Sequence, residues 1–487
     1  MSLRAHICAL IAAAVFFCTV YSNASATVTS VPFSSAGVRA VNTLLRVFYA
    51  GDGLWRECNE TTCRTTNSDW GADSATYTLY LRWLTTHDPS AESTMAQLEN
   101  TAPRYPLPCT SACPDWSDTP AWDAVALMRE YETLGRSPEA LAKAKSALRY
   151  IQESQAFSRG ACPEIPYQQP QPSNSRIKTL ETDANVIKAS LLVYRATQEQ
   201  QYLTAAVARY NDDRKYYLDR AASLYTVHVI DDGLHCEQVP RRFFASVNGD
   251  MISNGLELWR ITGQLRFYDD ALATAQAVDR NLSDAQGIFV DLQGENDVVE
   301  PLIEAMYDVA ANEHAAFARD WILRNAAAAL SARGPDGTFS RFFDGPPQTK
   351  TSIWESNGGL ALEIAAAALA PDSEAQISTW DSAHIDAPVD ALPSTIAFDG
   401  AGIALSGRIG AMCQKAHVRV LIDGVETFDQ TGLWQNYSMP EGNSVFFVWR
   451  WPGVGHHVIQ LLPPDSAESV AGAVQLQSVV LPTTGLH

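Results

Sequence analysis

The chain has 487 residues, of which 46% are hydrophobic and 18% charged, a composition typical of globular proteins and unlike that of disordered or fibrous chains. The 35 Lys and Arg residues against 55 Asp and Glu residues give a net charge of -20, which opposes binding to nucleic acids and to anionic membrane surfaces. At about 150 residues per domain, the length predicts two or three domains. The sequence contains no phosphate-binding glycine loop, zinc-protease motif or serine-esterase motif, so we expect no cofactor and no metal.

The first 26 residues have the layout of a cleaved secretory signal. A short N-terminal region with Arg4 precedes an apolar run, Ile7–Val20, and the small residues Ala-Ser-Ala follow at 24–26. The apolar run is too short to cross a membrane comfortably. We therefore expect a secreted monomer without a membrane span, whose mature chain carries a charge of -21 and seven cysteines.

The remaining cysteines are spaced as expected for disulfide bonds in an oxidising compartment. Two pairs are close in sequence, within polar or proline-rich stretches, and a third pair is more distant. A zinc site is the alternative, but these spacings lack the nearby histidines that would complete a tetrahedral cluster. The expected pairs are Cys58–Cys63, Cys109–Cys113 and Cys162–Cys236, which leave Cys413 unpaired.

From about residue 35 to residue 370, apolar residues recur at helical spacing in twelve segments that come mostly in pairs. The predicted helices are Arg39–Tyr49, Asp73–Thr86, Ala91–Thr101, Ala121–Leu134, Pro138–Ile151, Asp183–Thr197, Gln201–Leu218, Asp250–Thr262, Arg266–Leu282, Val298–Ala310, Glu313–Leu330 and Asn357–Leu369.

A short pattern recurs where paired helices meet. An aromatic residue lies about three positions before the turn, and small alanines follow in the second helix; the first three copies begin at Tyr131, Tyr194 and Trp259, about 64 residues apart. Six such hairpins close into a ring with one helix of each pair inside. We predict an all-α (α/α)6 toroid over residues 27–372, with an open solenoid of the same repeats as the alternative.

Beyond residue 372 the pattern changes to short alternating runs, and Asp423-Gly424 between two of them predicts a hairpin. We predict a smaller all-β domain over residues 373–487, a jelly-roll β-sandwich. The tail resembles the jelly-roll modules attached to secreted glycosidases, through residues 422–424 and the return strand 455–459. Four aromatic residues offer either a sugar-stacking face or core packing: Trp434, Tyr437, Trp449 and Trp451.

The segment 115–123 carries the most chemically informative side chains. In a helical toroid, the starts of the inner helices face a common hollow, and Pro120 fits the first turn of such a helix, with a cap among the three residues before it. Asp118 is therefore either only a helix cap or also a loop carboxylate that faces a sugar, beside Trp116 and Trp122.

At this point the chain resembles the endo-α-1,6-mannanases of glycoside hydrolase family 76, which are six-hairpin glycosidases. The resemblance covers roughly residues 70–369 and implies a toroidal fold, an α-mannan type of substrate and retaining hydrolysis by two carboxylates. It is carried by Trp70-Gly71-Ala72, by Thr119–Trp122 after the family's catalytic Asp-Asp pair, by Thr182–Tyr194 as the third inner helix, and by Ser246–Gly249 before the fourth.

The sequence departs from the family at the catalytic pair, because Ser117-Asp118 matches only its second aspartate. Hydrolysis needs two carboxyl groups, either about 5 Å apart or about 6.5 to 9.5 Å apart with water between them. Asp115 in the same loop, or Asp183 or Asp250 at the start of another inner helix, is a candidate for the second group, although an acid at a helix start also stabilises the helix dipole. The candidate catalytic residues are Asp118, Asp115 and Asp183, and the candidate substrate-binding residues are Trp116, Trp122, Tyr167, Asn248 and Asp250.

We therefore expect a secreted glycosidase that acts on α-mannan or a related cell-wall polysaccharide. The alternative, favoured by Ser117, is a catalytically inactive carbohydrate-binding protein on the same toroid. An epimerase or lyase is a third class, but those enzymes place histidine and arginine in the cavity, whereas the histidines of this chain are scattered.

Overall fold

A computed structural model describes residues 29–66, 70–97, 105, 116–154, 157–171, 175–290, 297–377, 382–385, 394–408, 416–433, 444–462 and 475–482. The predicted signal segment 1–26, the candidate Asp115 and three of the cysteines, Cys109, Cys113 and Cys413, lie outside these residues. Within the described ranges the chain forms twelve helices, each overlapping one of the predicted segments.

The helices form a closed ring. The even-numbered helices contact one another in order, from α2 with α4 through α10 with α12, and α12 contacts α2. The odd-numbered helices pack outside this circuit, as α5 does on α4 and α9 on α8. The ring is therefore closed, as predicted, and not an open solenoid. The helices are α1 (Phe33–Val47), α2 (Trp70–Thr86), α3 (Pro89–Met95), α4 (Asp118–Thr133), α5 (Pro138–Glu153), α6 (Leu180–Thr197), α7 (Gln200–Tyr216), α8 (Ala245–Thr262), α9 (Leu265–Asn281), α10 (Glu300–Ala311), α11 (Ala316–Ser331) and α12 (Ile353–Leu369).

Burial of each helix follows its place in the ring. The outer helix α5 buries one stripe, at spacings of three and four residues from Ala140 to Ile151, as an amphipathic helix does. The inner helix α4 is buried around most of its circumference, including the charged residues Arg129 and Glu130. Inner helices therefore carry polar groups into the interior, where they need partners.

The starts of α8 and α10 approach each other unusually closely at Gly249. A Cβ atom at Gly249 would lie 2.2 Å from the backbone nitrogen of Leu302. Because no larger residue fits this gap without a backbone shift, glycine sets the spacing of these two inner helices.

Short antiparallel sheets accompany the helices, in the strand orders β1-β10, β2-β3-β4, β5-β8-β9 and β6-β7. The pair β1-β10 joins residues before α1 to residues after α12, so it ties the two ends of the ring together. These strands are β1 (Thr29–Pro32), β2 (Tyr49–Gly51), β3 (Leu54–Arg56), β4 (Thr65–Thr66), β5 (Ile177–Thr179), β6 (Leu218–Asp219), β7 (Leu224–Tyr225), β8 (His228–Asp231), β9 (Cys236–Gln238) and β10 (Glu374–Ile377).

The C-terminal strands form one six-stranded antiparallel sheet in the order β11-β16-β12-β15-β13-β14. The predicted hairpin turn is confirmed, with Asp423 and Gly424 at φ values of 51° and 79° between β13 and β14. Since the described strands belong to a single sheet, the predicted two-sheet jelly roll is not confirmed. The strands are β11 (Ser382–Ile385), β12 (Ser394–Arg408), β13 (Ala416–Ile422), β14 (Val425–Leu433), β15 (Ser444–Leu462) and β16 (Gln475–Pro482).

This sheet packs directly on the ring. Phe342, in the loop before α12, forms a small apolar cluster with Ala404 and Val448 of the sheet. Close by, the Gln286 side chain donates a hydrogen bond of 2.7 Å to the backbone carbonyl of Trp451. The sheet is therefore anchored to the ring by both apolar and polar contacts.

Two of the three expected disulfide bonds, Cys58–Cys63 and Cys162–Cys236, are present, and the third expected pair lies outside the described residues. The second links the loop before β5 to β9 and so connects two segments distant in sequence. Among the described helices, none combines the length and the hydropathy needed to cross a membrane.

Candidate active site

The inner helices all begin at the same end of the ring, because an antiparallel outer helix returns the chain between them. Contacts between these starts define that end. The Ser117 hydroxyl, just before α4, lies 2.6 Å from the Thr182 hydroxyl in the first turn of α6. Asp297, just before α10, accepts hydrogen bonds from the backbone N–H groups of Ala245 and Ser246 at the start of α8.

Asp118 is the first residue of α4 and is half-buried. Its Oδ1 accepts the backbone N–H of Thr119 at 3.1 Å. Burial raises the pKa of the Asp118 carboxyl to about 6, although backbone hydrogen bonds act in the opposite direction. A carboxyl with this pKa exchanges its proton in weakly acidic solution, as acid–base catalysis requires.

Ser117, which stands where the resemblance places an aspartate, is fully buried. Its backbone N–H donates to the carbonyl of Gln168 at 2.9 Å, in addition to the hydroxyl contact with Thr182. These bonds give Ser117 a role in holding the start of α4 against the loop before β5 and against α6. They do not give it a base that would activate it as a nucleophile.

Trp116 and Trp122, the two tryptophans predicted to contact substrate, differ in exposure. Trp122 is 1% exposed and packs edge-on against Tyr77, with ring centroids 5.8 Å apart. Trp116 is 43% exposed and immediately precedes Ser117. A sugar ring stacks only on an open aromatic face, so the structure leaves Trp116 available for this role and places Trp122 in the core instead.

Tyr167 and Asn248, also predicted to contact substrate, are used to hold loops. The Tyr167 ring lies 4.1 Å from the buried Lys178 ammonium group. The Asn248 side chain accepts the backbone N–H of Tyr225 at 2.9 Å and donates to its carbonyl at 3.0 Å. Both side chains are buried, so their groups are occupied by the protein itself rather than offered to a ligand.

Asp183, the predicted partner of Asp118 on another inner helix, points outward instead. Its carboxylate pairs with Arg209 of the outer helix α7 and lies against Asp213 of the same helix. Burial raises the pKa of Asp183, while Arg209 acts against that rise. These contacts turn the carboxylate toward α7, so the structure does not bring Asp183 to Asp118.

Farther along the ring axis, five inner helices contribute to one network of paired charges. Glu304 of α10 pairs with Arg129 of α4 and, at 3.2 Å, with Lys188 of α6. Lys188 also pairs with Asp250 of α8 at 2.9 Å, and the Tyr77 hydroxyl of α2 donates to Asp250 at 3.3 Å. Asp250, predicted as a substrate contact, is therefore a buried member of this network.

The pairing is reflected in the pKa of Glu304. Burial acts to raise the pKa of its carboxyl, but the charges of Arg129 and Lys188 outweigh burial and hold the pKa below the usual range. Arg129, Lys188 and Glu304 also line a cavity of about 210 Å³, together with Arg195 and Arg260 near the C-terminal ends of their helices. The network thus lies between the Asp118 end of the ring and this cavity.

The sequence pattern did not predict this network or a further buried acid, Glu300, the first residue of α10. One signal was available: Glu300 and Glu304 stand four residues apart in an otherwise apolar segment, and therefore share a helix face. The spacing does not show which helices lie opposite that face.

Two groups of cysteine and acid side chains are close enough to hold a metal ion, Cys58-Glu60-Cys63 and Cys162-Asp231-Cys236. Both cysteine pairs are disulfide-bonded. Because zinc binds thiolates, each group retains only a carboxylate as a strong ligand while the disulfide is intact.

The helical ring has the fold of the glycoside hydrolase family 76 α-mannanases, as comparison with solved structures shows. An inactive aspartate variant of the α-1,6-mannanase of Salegentibacter sp. HEL1_6, in complex with α-1,6-mannotetrose, matches with a TM-score of 0.58 at 16% identity, over 70% of this chain and 100% of that one. The Lin0763 protein of Listeria innocua matches with a TM-score of 0.57 at 20% identity, over 69% and 97% of the two chains.

Dfg5 of Chaetomium thermophilum, in complex with glucosamine, matches with a TM-score of 0.53 at 15% identity, over 71% of this chain and 92% of that one. At these identities the likeness establishes the fold alone. No family model and no curated protein matches the sequence.

Proposed function

We propose that this protein is a secreted glycoside hydrolase that acts on α-mannan or a related cell-wall polysaccharide. One observation carries the proposal: Asp118, with a pKa raised to about 6, stands half-buried at the end of a closed helical ring where the inner helices begin. The exposed Trp116 beside it offers an apolar face for a sugar ring.

The substrate class is supported by the solved structures of the same fold. One of them is an α-1,6-mannanase in complex with α-1,6-mannotetrose. A net charge of -20 suits a neutral polysaccharide better than an anionic polymer. The two disulfide bonds and the signal-like residues 1–26 favour export.

We also propose that the chain divides into a glycosidase-like ring over residues 27–372 and an ancillary β-sandwich over residues 373–487. The last ring helix, α12, ends at Leu369, and β10 begins at Glu374. The change from helix to strand therefore falls between these two residues. β10 pairs with β1, which precedes the first helix of the ring, so the first strand after the proposed boundary also closes the ring.

The proposal is tested by assaying purified protein on α-1,6-mannan and comparing Asp118→Asn with Asp320→Asn. Both variants remove one negative charge without changing side-chain size, but Asp320 is exposed on the outer helix α11. We expect release of reducing sugar to fall at least about 100-fold in Asp118→Asn and to stay unchanged in Asp320→Asn. Equal sugar release by both variants would remove Asp118 from the mechanism.

A carbohydrate-binding protein without hydrolytic activity is the second candidate function. The observation that favours it is Ser117, whose hydroxyl is bound to Thr182 where the resemblance places a catalytic aspartate. This function predicts that mannotetrose binds, by calorimetry, while no reducing sugar appears from any α-mannan. Turnover by the wild-type chain would exclude it.

A further inference from the structure

Two aspartates of the ring meet where the C-terminal sheet packs on it. Asp284 follows α9 and Asp344 precedes α12, and they are 7% and 3% exposed. Their side chains are hydrogen-bonded to each other. The Oδ1 of Asp284 accepts the backbone N–H groups of Gln286 at 2.8 Å and Ile288 at 3.0 Å. Its second oxygen is therefore the one left for Asp344.

This contact between two carboxyl groups implies a shared proton. An ionised carboxylate only accepts hydrogen bonds, so one of the two groups must carry the proton that joins them. Burial and the charge of Asp344 raise the pKa of Asp284 to about 8. Burial also raises the pKa of Asp344, although Arg450 acts against that rise. At neutral pH the pair therefore holds one proton and one negative charge.

The sheet supplies the cation that matches this charge. Arg450 of β15 is 3% exposed, and its Nε lies 3.7 Å from a carboxylate oxygen of Asp344. The same nitrogen donates a hydrogen bond of 3.3 Å to the backbone carbonyl of Asp344. The charges of Asp344 and Asp284 both act on the guanidinium group of Arg450. With one shared proton, the two acids of the ring and the arginine of the sheet are together neutral.

Two other arginines near this interface have partners of their own. Arg324 of α11 lies at the edge of the interface, but its guanidinium group donates to the carboxylate of Asp279 at 2.8 Å. Arg341 lies over the ring of Phe342, 4.9 Å from its centroid. This leaves Arg450 as the cation in contact with the acid pair.

Apolar packing between the ring and the sheet is limited at this point. The apolar cluster described there joins Phe342 of the ring to Ala404 and Val448 of the sheet. Beside it, a cavity of about 420 Å³ is lined by α11 of the ring and by Arg450 and Pro452 of the sheet. Because this space is not filled by side chains, the polar contacts of Arg450 contribute a correspondingly large share of the attachment.

We propose that Asp284, Asp344 and Arg450 form a proton-dependent joint, which holds the sheet on the ring while the acid pair keeps one proton and opens when that proton is lost. Loss of the proton to solvent leaves two buried negative charges beside one cation, and an unmatched buried charge is strongly destabilising. Opening relieves it by exposing the carboxylates to water. The joint concerns how the sheet is held, so it is independent of the proposed glycosidase function.

The direction of the pH effect follows from the difference in proton affinity between the closed and open joint. When the joint is closed, the pKa of Asp284 is about 8, whereas a solvated aspartate has a pKa of about 4. Raising the pH from about 4 to about 8 therefore favours opening by about tenfold per pH unit. Above about pH 8 the closed joint has also lost its proton, so the effect levels off.

The experiment measures hydrogen–deuterium exchange of the full-length protein from pH 5 to pH 9, corrected for the intrinsic pH dependence of amide exchange. Protection of residues 284–290 and 445–452 should fall about tenfold per pH unit up to about pH 8. In Asp284→Asn the amide group donates to Asp344 at every pH, so protection should not depend on pH. Asp399→Asn is the matched control, because the Asp399 side chain lies on the same sheet, is 78% exposed, and should leave the wild-type slope unchanged.

A second variant tests the cation. Arg450→Met leaves the ionised member of the pair without its partner and should lower protection of both segments at pH 6 at least about tenfold; unchanged protection would overturn the joint. So would a wild-type protection that does not vary with pH, or a wild-type slope in Asp284→Asn.

Exchange of both segments at the rate of α6 would mean that the sheet opens only together with the whole ring, and would likewise overturn the joint. Circular dichroism shows whether each variant is folded. If Asp284→Asn does not fold, the wild-type slope and Arg450→Met decide the question.

Discussion

The middle of the ring and the end where its inner helices begin both hold buried carboxyl groups, but their surroundings differ. In the middle, Asp250 and Glu304 are matched by the cations Lys188 and Arg129. At the helix starts, Asp118 has its helix-start hydrogen bond and Glu300 receives none from another described residue. Neither of these two acids has a cation among its described contacts.

This difference separates structural charges from chemically available ones. The cations beside Glu304 stabilise its ionised form and lower its pKa, whereas at Asp250 burial outweighs Lys188 and raises the pKa of the carboxyl. An unpaired carboxyl costs folding free energy, and folded proteins keep such groups mainly where the chemistry needs them. Four tests, three of them with variants, ask whether carboxyl groups in the middle of the ring differ in this way from those where the inner helices begin.

The largest expected effect comes from removing a cation of the middle layer. Lys188→Met leaves Asp250 without its cation and Glu304 with one, so we expect a loss of about 3 to 5 kcal/mol in the free energy of unfolding, measured by urea denaturation. The control is Lys145→Met, which removes a partly exposed cation paired with Glu199 and should hardly change stability. Equal stability of the two variants would show that the network is not a structural element.

Next in size is an effect of pH on stability through Glu363. Burial raises the pKa of Glu363 to about 8, although Arg333 acts against the rise. The folded state therefore binds this proton more tightly than the unfolded state, and its stabilising contribution is present below the ordinary pKa and lost as the pH rises through about 8.

Glu363→Gln removes this titration, so the variant should be more stable than the wild-type chain at pH 8 by about 4 kcal/mol. The two unfolding free energies should converge near pH 4. A wild-type stability that rises between pH 5 and pH 8, with no such convergence, would contradict the raised pKa.

A smaller effect is expected in the acid limb of the activity profile. If Asp118 acts in its ionised form, kcat/KM on mannan should fall about tenfold per pH unit below pH 6, because the carboxylate is progressively protonated. The measurement is kcat/KM from pH 4 to pH 8 at constant ionic strength. An acid limb near pH 4 would mean that the surroundings of Asp118 do not raise its pKa.

The smallest effect is expected for Ser117→Ala, which tests whether the residue at the first aspartate position has any chemical role. The variant loses the hydroxyl contact with Thr182 and should lose about 1 kcal/mol of stability, with kcat/KM nearly unchanged. A large loss of activity at wild-type stability would instead make Ser117 part of the mechanism.

Much of the architecture could be predicted from the sequence. All twelve predicted helices are present, since each has apolar residues at helical spacing, and the recurrence at Tyr131, Tyr194 and Trp259 indicated hairpin repeats. Asp423-Gly424 also predicted its hairpin from local sequence, because both residues adopt the positive φ that such a turn requires. The two-sheet arrangement of the tail was not confirmed, since pairing between strands far apart in sequence leaves no local signal.

The site was less predictable than the fold. Asp183 and Asp250 both follow the pattern of an acid near the start of an inner helix, yet the first pairs with the outer helix α7 and the second with Lys188 inside the ring. Trp122 was predicted to contact a sugar beside Asp118, but its ring packs against Tyr77. In each case the deciding factor was a neighbour contributed by another helix.

The sequence by itself determined the helices, their pairing and the position of Asp118 at a helix start, because these depend on residues within a few turns of one another. Only the tertiary structure decided which acids have a cation and which stay alone, because that depends on the helices that the closed ring brings opposite each other. Glu300 shows the reason: its helix face follows from its spacing to Glu304, but the lack of a partner follows only from what the rest of the ring places around it.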